Sequence, residues 1–252
     1  MDYDFKHWPK LPTVSCTCIT YGRPQLIGEA VQSYIDQDYP GESELIILND
    51  QPDIKYNGGF LLKQNQSIKI TNAPKRYATI GEKRNICVRL GDGEITMNFD
   101  DDDIHLPWRI SLTVSKMTNH HYWKGDRLWV WGNGKLKQNT PNKAMAPSMA
   151  GCSREIFEKV GGYDHIQSGQ DQTLDNKIHK LGLRMVGELT TDETYYMYKF
   201  AGTGSYHLST HGYGKGYTQA ANHIKKQKGA EFIINPGYKQ DYLALIQPFR
   251  NK

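Results

Sequence analysis

Residues 14–50, VSCTCITYGRPQLIGEAVQSYIDQDYPGESELIILND, decide the fold class. Val14 to Tyr21 is a strand-like run that stops at a Gly-Arg-Pro turn. Pro24 to Gln37 carries apolar residues three and four apart, which is typical of an amphipathic helix with proline near its start. Glu44 to Asn49 is a short apolar run, as expected for a strand buried on both faces. Strand, helix and strand in this order predict a βαβ unit.

The same alternation continues along the next fifty residues. Residues 51–72 are polar and predict a long loop with an edge strand at Ser67 to Thr71. A helix is expected from Ile80 to Leu90 and a strand from Glu94 to Phe99. The pattern therefore predicts an α/β fold with a Rossmann-like, mostly parallel central sheet flanked by helices.

Local patterns predict further elements in the second half. These are a helix from Pro107 to Met117, a strand over 127–131 that enters a hairpin at 132–134, and helices over 153–160 and 172–181. Beyond Gly187 the sequence is rich in Tyr and Gly, and we expect a flexible C-terminal segment. The expected organisation is one domain over residues 1–212 and a basic, partly helical extension over 213–252 that packs on it.

Composition and charge narrow the class of protein. The 252 residues include 31 Lys and Arg against 27 Asp and Glu, and the net charge of +4 permits a polyanionic partner without requiring one. No run approaches the roughly 18 to 20 apolar residues that cross a bilayer, and the first ten residues lack the pattern of a signal peptide. We therefore expect a cytoplasmic protein with no membrane span, and peripheral attachment to a membrane stays open. The four cysteines, at 16, 18, 87 and 152, lack zinc-ligand spacing, so we expect reduced thiols in the core.

Four consecutive aspartates, Asp100 to Asp103, follow the strand that is expected to end at Phe99. Like charges so close together raise each other's pKa and weaken the fold, so something should offset the repulsion. A divalent cation that prefers oxygen ligands, Mn²⁺ or Mg²⁺, would do so, and the carboxyl ends of strands are common ligand positions. A solvated acidic turn or a helix N-cap is the alternative.

Together these segments resemble family 2 glycosyltransferases of the GT-A fold, in order and in spacing, over roughly residues 13–211. The resemblance implies a nucleotide-sugar half over about 13–105 and an acceptor half over about 106–212. The matching segments are Thr20-Tyr21-Gly22-Arg23, Asp50, Asp100 to Asp103 with Pro107 and Arg109, Phe157 to Asp164, and Gln170-Asp171.

The resemblance implies roles for the acidic run and for the turn after the first strand. Asp102 would be the direct ligand of Mn²⁺ or Mg²⁺, and Asp100 and Asp101 would reach the ribose or the waters on the metal. Thr20 and Arg23 would belong to the nucleotide-binding turn.

Further roles concern the base and the phosphates of the nucleotide. Asp50 would accept the uracil N3–H, and Tyr21 would stack near the base, although a packed aromatic is the alternative for Tyr21. Lys83 and Arg84 match a basic position that contacts the nucleotide. An ordinary solvated helix face is the alternative for these two residues.

Asp171 aligns with the residue that acts as the catalytic base in the family, and a plain helix N-cap is the alternative. Gln170 replaces the usual Glu before it, which removes a charge near the acceptor. His207 would complete the metal sphere or touch the diphosphate, and His211, four residues later, is a weaker candidate; a lone surface histidine is the alternative for both.

The function implied is metal-assisted, inverting transfer of a hexose from a UDP-sugar to a saccharide or glycolipid hydroxyl. One alternative is a DNA-modifying glycosyltransferase that acts on hydroxymethylated bases of phage type. For that alternative a basic stretch with interleaved tyrosines would track the phosphates, namely Tyr213, Lys215, Tyr217, His223, Lys225, Lys226 and Lys228. A non-catalytic nucleotide-sugar-binding module is the other alternative.

Overall fold

The structure is a computed structural model that describes residues 1–132, 134–140, 147–199 and 229–250. In chain order its elements are β1 (Val14–Thr20), α1 (Pro24–Ile35), β2 (Ser43–Asn49), β3 (Ile54–Asn57), β4 (Gln66–Asn72), α2 (Ile80–Arg89), β5 (Ile95–Asn98), β6 (Ile104–His105), α3 (Arg109–Lys116), β7 (Tyr122–Gly125), β8 (Leu128–Gly132), β9 (Lys135–Asn139), a 3-10 turn (Pro147–Met149), β10 (Gly151–Ser153), α4 (Arg154–Lys159), α5 (Gln170–Lys180), β11 (Met185–Gly187), β12 (Tyr196–Lys199), β13 (Ala230–Ile233) and α6 (Tyr242–Arg250).

A seven-stranded sheet in the order β11-β7-β10-β5-β1-β2-β4 forms the centre of the described structure. The four strands β5, β1, β2 and β4 run parallel, whereas β10 is antiparallel to both of its neighbours. Every residue of β2 is buried, as its unbroken apolar run predicts. The described sheet ends at β4, where half-buried and exposed positions alternate around Lys69. The predicted α/β class with a mostly parallel sheet and an edge strand near residue 70 is confirmed.

A second, four-stranded sheet in the order β6-β12-β8-β9 lies beside the first. Its β8 and β9 are antiparallel and joined across residues 133 and 134, which confirms the predicted hairpin. The short strands β7, β10 and β11 were not predicted, because three or four residues that include Gly and a buried Lys carry no clear period of two.

The cysteines lie in the core, as expected. All four are free and buried, and Cys16 and Cys18 have no exposed surface. Burial raises the pKa of Cys87 to about 12 and that of Cys152 to about 12, so these thiols stay protonated and unreactive at neutral pH.

The described part of the C-terminal region packs on the same body. Strand β13 pairs in parallel with β3, which explains why residues 54–57 form a strand in a stretch predicted to be loop. Glu29 on α1 accepts hydrogen bonds from the Tyr242 hydroxyl at 2.7 Å and the Lys239 backbone N–H at 3.0 Å. The predicted boundary at 212/213 falls within residues 200–228, outside the described residues, and stays a prediction. Within the described ranges no helix has the length and apolarity to span a membrane.

Helix α2 begins against the loop that precedes α5, and this contact yields a test of the packing. A Cβ on Gly81 would lie 1.8 Å from the carbonyl oxygen of Asp164. We expect Gly81→Ala to lower the free energy of unfolding by about 1–3 kcal/mol, because the backbone clash outweighs the roughly 1 kcal/mol gain in helix propensity.

Chemical denaturation measures the change, with Gly59→Ala as the control. A Cβ on Gly59 has no heavy atom within 4 Å. Equal stability of the two variants would contradict the contact.

Candidate active site

The carboxyl ends of β1, β2 and β5 meet at one edge of the central sheet. Because β1 pairs in parallel with both of the other strands, the residues that follow them come together. Thr20 to Arg23 follow β1, Asp50 follows β2 and the acidic run follows β5. This edge is the crevice in which open α/β sheets bind ligands.

Arg23 binds two members of the acidic run with one guanidinium group. Its Nε donates to Asp101 at 3.1 Å, its Nη2 also contacts Asp101, and its Nη1 donates to Asp102 at 2.8 Å. Burial alone would lower the pKa of Arg23, but Asp101 and Asp102 raise it above its usual range. Burial raises the pKa of Asp101 to about 6, even though Arg23 acts in the opposite direction.

The two outer aspartates also have partners within the protein. Arg84 on α2 donates to Asp100 at 2.7 Å. Asp103 accepts from the Tyr196 hydroxyl at 2.5 Å and from the Lys199 backbone N–H at 2.9 Å, so it anchors β12. The repulsion within the run is therefore offset by the protein itself. The divalent cation expected at the acidic run stays a prediction.

Asp50 and Lys83 form a buried ion pair behind the crevice. Lys83 Nζ contacts both Asp50 Oδ1 and the Thr20 carbonyl oxygen, and the Tyr77 backbone N–H donates to Asp50 Oδ2 at 3.1 Å. Burial lowers the pKa of Lys83 despite the neighbouring carboxylate. Lys83 and Arg84 are both buried, so the alternative of a solvated helix face is wrong for both.

Arg76 is a residue of this edge that sequence reasoning missed. Its guanidinium carbon lies 4.4 Å from the centre of the Tyr21 ring, a cation–π contact, and its side chain is exposed. The only signal in the sequence is a basic pair, Lys75-Arg76, in a loop before a helix, which resembles many solvated surfaces.

Asp171 lies in the first turn of α5, half-buried, with Oδ1 accepting the Gln172 backbone N–H at 2.9 Å. The N-cap of this helix is Gly169, so the N-cap alternative for Asp171 is wrong. The Cβ of Gln170, the residue before Asp171, lies against Gly81 of α2, the helix that carries Arg84, and the charge of Asp171 contributes to the raised pKa of Arg84.

The block from Phe157 to Asp164 connects α4 to this region. The Asn85 side chain accepts from the Tyr163 backbone N–H and donates to its carbonyl oxygen, both at 2.8 Å. The Tyr163 hydroxyl contacts Asn98 at 3.1 Å. The block therefore fixes the loop before α5 to α2 and β5.

The chain was compared with known proteins. Residues 15–138 match the family model described as glycosyl transferase family 2. Over these 124 of its 252 residues the chain resembles this family. Among curated protein sequences no significant match was found.

Solved structures share the fold of this chain. S. aureus TarS matches with a TM-score of 0.57 and 16% identity, over 75% of this chain and 37% of that chain. S. aureus TarS 1–349 in complex with UDP-GlcNAc gives 0.55 and 15%, over 75% and 58%. The mannosyltransferase PcManGT from Pyrobaculum calidifontis, in complex with GDP-Man and Mn²⁺, gives 0.55 and 15%, over 82% and 60%. The chain thus spans between 37% and 60% of these proteins.

The donor set at this edge suits a divalent cation that a diphosphate helps to bind. The side chains of Asp100 and Asp102 are 18% and 14% exposed, and both present carboxylate oxygens. Among the described residues no three His, Cys, Asp or Glu side chains are arranged to hold a metal by themselves. Mg²⁺ and Mn²⁺ commonly take one or two carboxylates together with substrate phosphates, so these residues fit such an ion. His207 and His211 lie outside the described residues.

Arg109, the basic residue of the matched motif, lies under the acidic run. It has no exposed surface, contacts His105 Nδ1 at 3.1 Å and donates to the Ser148 carbonyl oxygen at 3.0 Å. His105 is packed between the rings of Phe99 and Tyr196, with centroids 4.1 and 5.2 Å away. Arg109 and His105 thus pack against Phe99, the residue that precedes the acidic run.

Burial, followed by the charge of Arg109, lowers the pKa of His105 well below its usual 6.5. The unfolded chain binds this proton below about pH 6.5 and the folded chain does not. We therefore expect His105 to lower the free energy of unfolding by up to about 1.4 kcal/mol per pH unit from pH 6.5 to 5, while Asp101, whose pKa is raised to about 6, acts in the opposite direction.

His105→Phe should flatten the slope of stability against pH in this window, whatever its effect on stability at pH 8. Urea denaturation across the pH range measures the slope. An unchanged slope in the variant would assign the proton uptake to other groups.

Proposed function

We propose that this chain transfers a hexose, with inversion and with the help of a divalent cation, from a UDP-sugar to an acceptor hydroxyl. One observation carries the proposal. A half-buried carboxylate, Asp171, lies in the first turn of α5, which packs against α2, the helix that carries Arg84, the partner of Asp100. A base and an acidic run that can bind a metal–diphosphate group are thus next to each other. The family supports this reaction class.

The donor would occupy the edge formed by the ends of β1, β2 and β5. Asp102 and Asp100 would hold Mn²⁺ or Mg²⁺ with the diphosphate, and the cation would supply charge neutralisation for the leaving group. Arg23 fixes where Asp102 lies, because its guanidinium binds Asp101 and Asp102 together. The Tyr21–Arg76 pair and Asp50 would form the nucleoside side of the site.

Asp171 would accept the proton of the acceptor hydroxyl as its oxygen forms a bond to the anomeric carbon. The bond between that carbon and the diphosphate oxygen breaks on the opposite face, and the electron pair leaves with UDP. Asp171 Oδ1 already accepts the Gln172 N–H, so we assign the incoming proton to Oδ2. Proton removal by a placed carboxylate is typically worth about 10²–10⁴ in rate.

The proposed acceptor is a saccharide or a glycolipid. The basic stretch on which the DNA alternative rests lies mainly in residues 200–228, outside the described residues. Its contribution, the position of His207 and the cytoplasmic location stay predictions.

Asp102→Ala should abolish Mn²⁺-dependent binding of UDP, because the diphosphate would then face the remaining carboxylates without a firmly held cation. Isothermal titration calorimetry with UDP, with and without Mn²⁺, measures the effect. Asp92→Ala is the matched control, since Asp92 is 87% exposed and pairs with Lys69 at the other end of the sheet. Wild-type affinity in Asp102→Ala would mean that another carboxylate of the acidic run is the metal ligand.

Asp171→Asn should lower the transfer rate by about 10²-fold or more while UDP-sugar affinity stays within about two-fold, since shape is kept and the base is lost. Single-turnover transfer and calorimetry separate the two quantities. Asp192→Asn, which removes a surface ion pair with Arg250, is the control. Transfer at the wild-type rate would exclude Asp171 as the base.

A further inference from the structure

One carboxylate under α5 binds three side chains at once. Asp175 Oδ1 accepts from the Tyr122 hydroxyl at 2.6 Å and from Lys124 Nζ at 2.8 Å. Its Oδ2 accepts from Arg184 Nη1 at 2.8 Å. Tyr122 and Lys124 belong to β7, and Arg184 follows the end of α5. We call these four residues the Asp175 cluster.

Burying the charges of the Asp175 cluster costs free energy, so stability alone does not account for it. Lys124 and Asp175 are almost completely buried, and two cations share one anion. Burial lowers the pKa of Lys124 in spite of Asp175. Replacing a buried ion cluster by well-packed apolar residues is often neutral or stabilising. We therefore look for the role of the cluster in how it orients helix α5.

Helix α5 lacks the usual device that fixes a helix start. Its N-cap is Gly169, with φ of 76° and no side-chain hydrogen bond to the first turn. Asp171 accepts the N–H of its own neighbour, Gln172, and this hydrogen bond does not tie it to another element. Contacts further along the helix therefore contribute to the orientation of the first turn, together with the packing of Gln170 on Gly81.

Asp175 is four residues after Asp171, so both side chains lie on the same face of α5, one turn apart. Three hydrogen bonds on Asp175 fix the rotation of the helix about its axis and its distance from β7. The charge of Lys124 interacts with Asp171 as well as with Asp175, which places the cluster close to the candidate base.

We propose that the Asp175 cluster positions Asp171, so that Tyr122, Lys124 and Arg184 act on transfer through the orientation of α5 without touching substrate. The inference rests on the proposed role of Asp171 and adds residues that the family motifs do not contain. A rotation of α5 by a few degrees would move the Asp171 carboxylate away from the acceptor hydroxyl, and small misplacements of a reacting group cost about ten- to a hundred-fold in rate.

Tyr122→Phe removes one hydrogen bond and keeps the ring, and Arg184→Gln removes another at the more exposed side of the cluster. We expect each to lower the single-turnover transfer rate about ten-fold, with the KM for UDP-sugar and the affinity for UDP within about two-fold of wild type. Tyr39→Phe is the matched control, since its buried hydroxyl donates to the Pro12 carbonyl oxygen at 2.7 Å, in a different part of the fold. A wild-type rate in both variants would overturn the proposal.

A double-variant cycle distinguishes positioning from general weakening of the fold. If the cluster acts through Asp171, then Tyr122→Phe should cause no further loss in the Asp171→Asn background. A ten-fold loss in that background as well would mean that the cluster acts independently of Asp171, which contradicts the inference. Should Asp171→Asn itself transfer at the wild-type rate, the proposed function fails. If Tyr122→Phe and Arg184→Gln transfer at the wild-type rate but Asp171→Asn does not, the inference fails and the proposed function stands.

Discussion

The pairing of Arg23 with Asp101 and Asp102 is the interaction on which the site depends. It joins the turn after β1 to the turn after β5, across 78 residues of sequence, with one planar group. Guanidinium is suited to this because its donors form a rigid fork and it keeps its charge when buried. Without it, Asp101 would lose its guanidinium partner in the buried site, and Asp102 would lose a hydrogen bond that helps to hold it at the opening of the crevice.

The basic residues around the crevice alternate with the acidic ones. Lys83 neutralises Asp50, Arg84 neutralises Asp100, and Arg23 serves two carboxylates. These three cations neutralise the four carboxylates only in part, and a sugar nucleotide would add the negative charge of its diphosphate. In the proposed reaction a divalent cation would offset the charge of the diphosphate together with the remaining charge of the acidic run.

Local patterns predicted the parts of the fold that local physics determines. The strand–helix–strand unit of residues 14–50, helix α2 and the β8–β9 hairpin have clear periods or turn residues and lie close to their expected bounds. Local patterns could not predict pairings between segments that are far apart in the sequence. Strand β3 exists because β13 pairs with it, and β7 contains a lysine that is buried because Asp175 lies opposite. The residues of the acidic edge were predicted, but their partners were not, because a sequence does not show which charges meet.

Strand β4 has a consequence for how the molecules behave at high concentration. It closes the described part of the central sheet, and an open strand edge is a template on which another chain can add a strand. Lys69 stands in the middle of this edge, bound to Glu44 and Asp92 at 2.9 and 2.7 Å. A charged side chain in that position opposes edge-to-edge pairing, because an incoming strand would have to desolvate it. Lys69 thus disfavours aggregation through this edge.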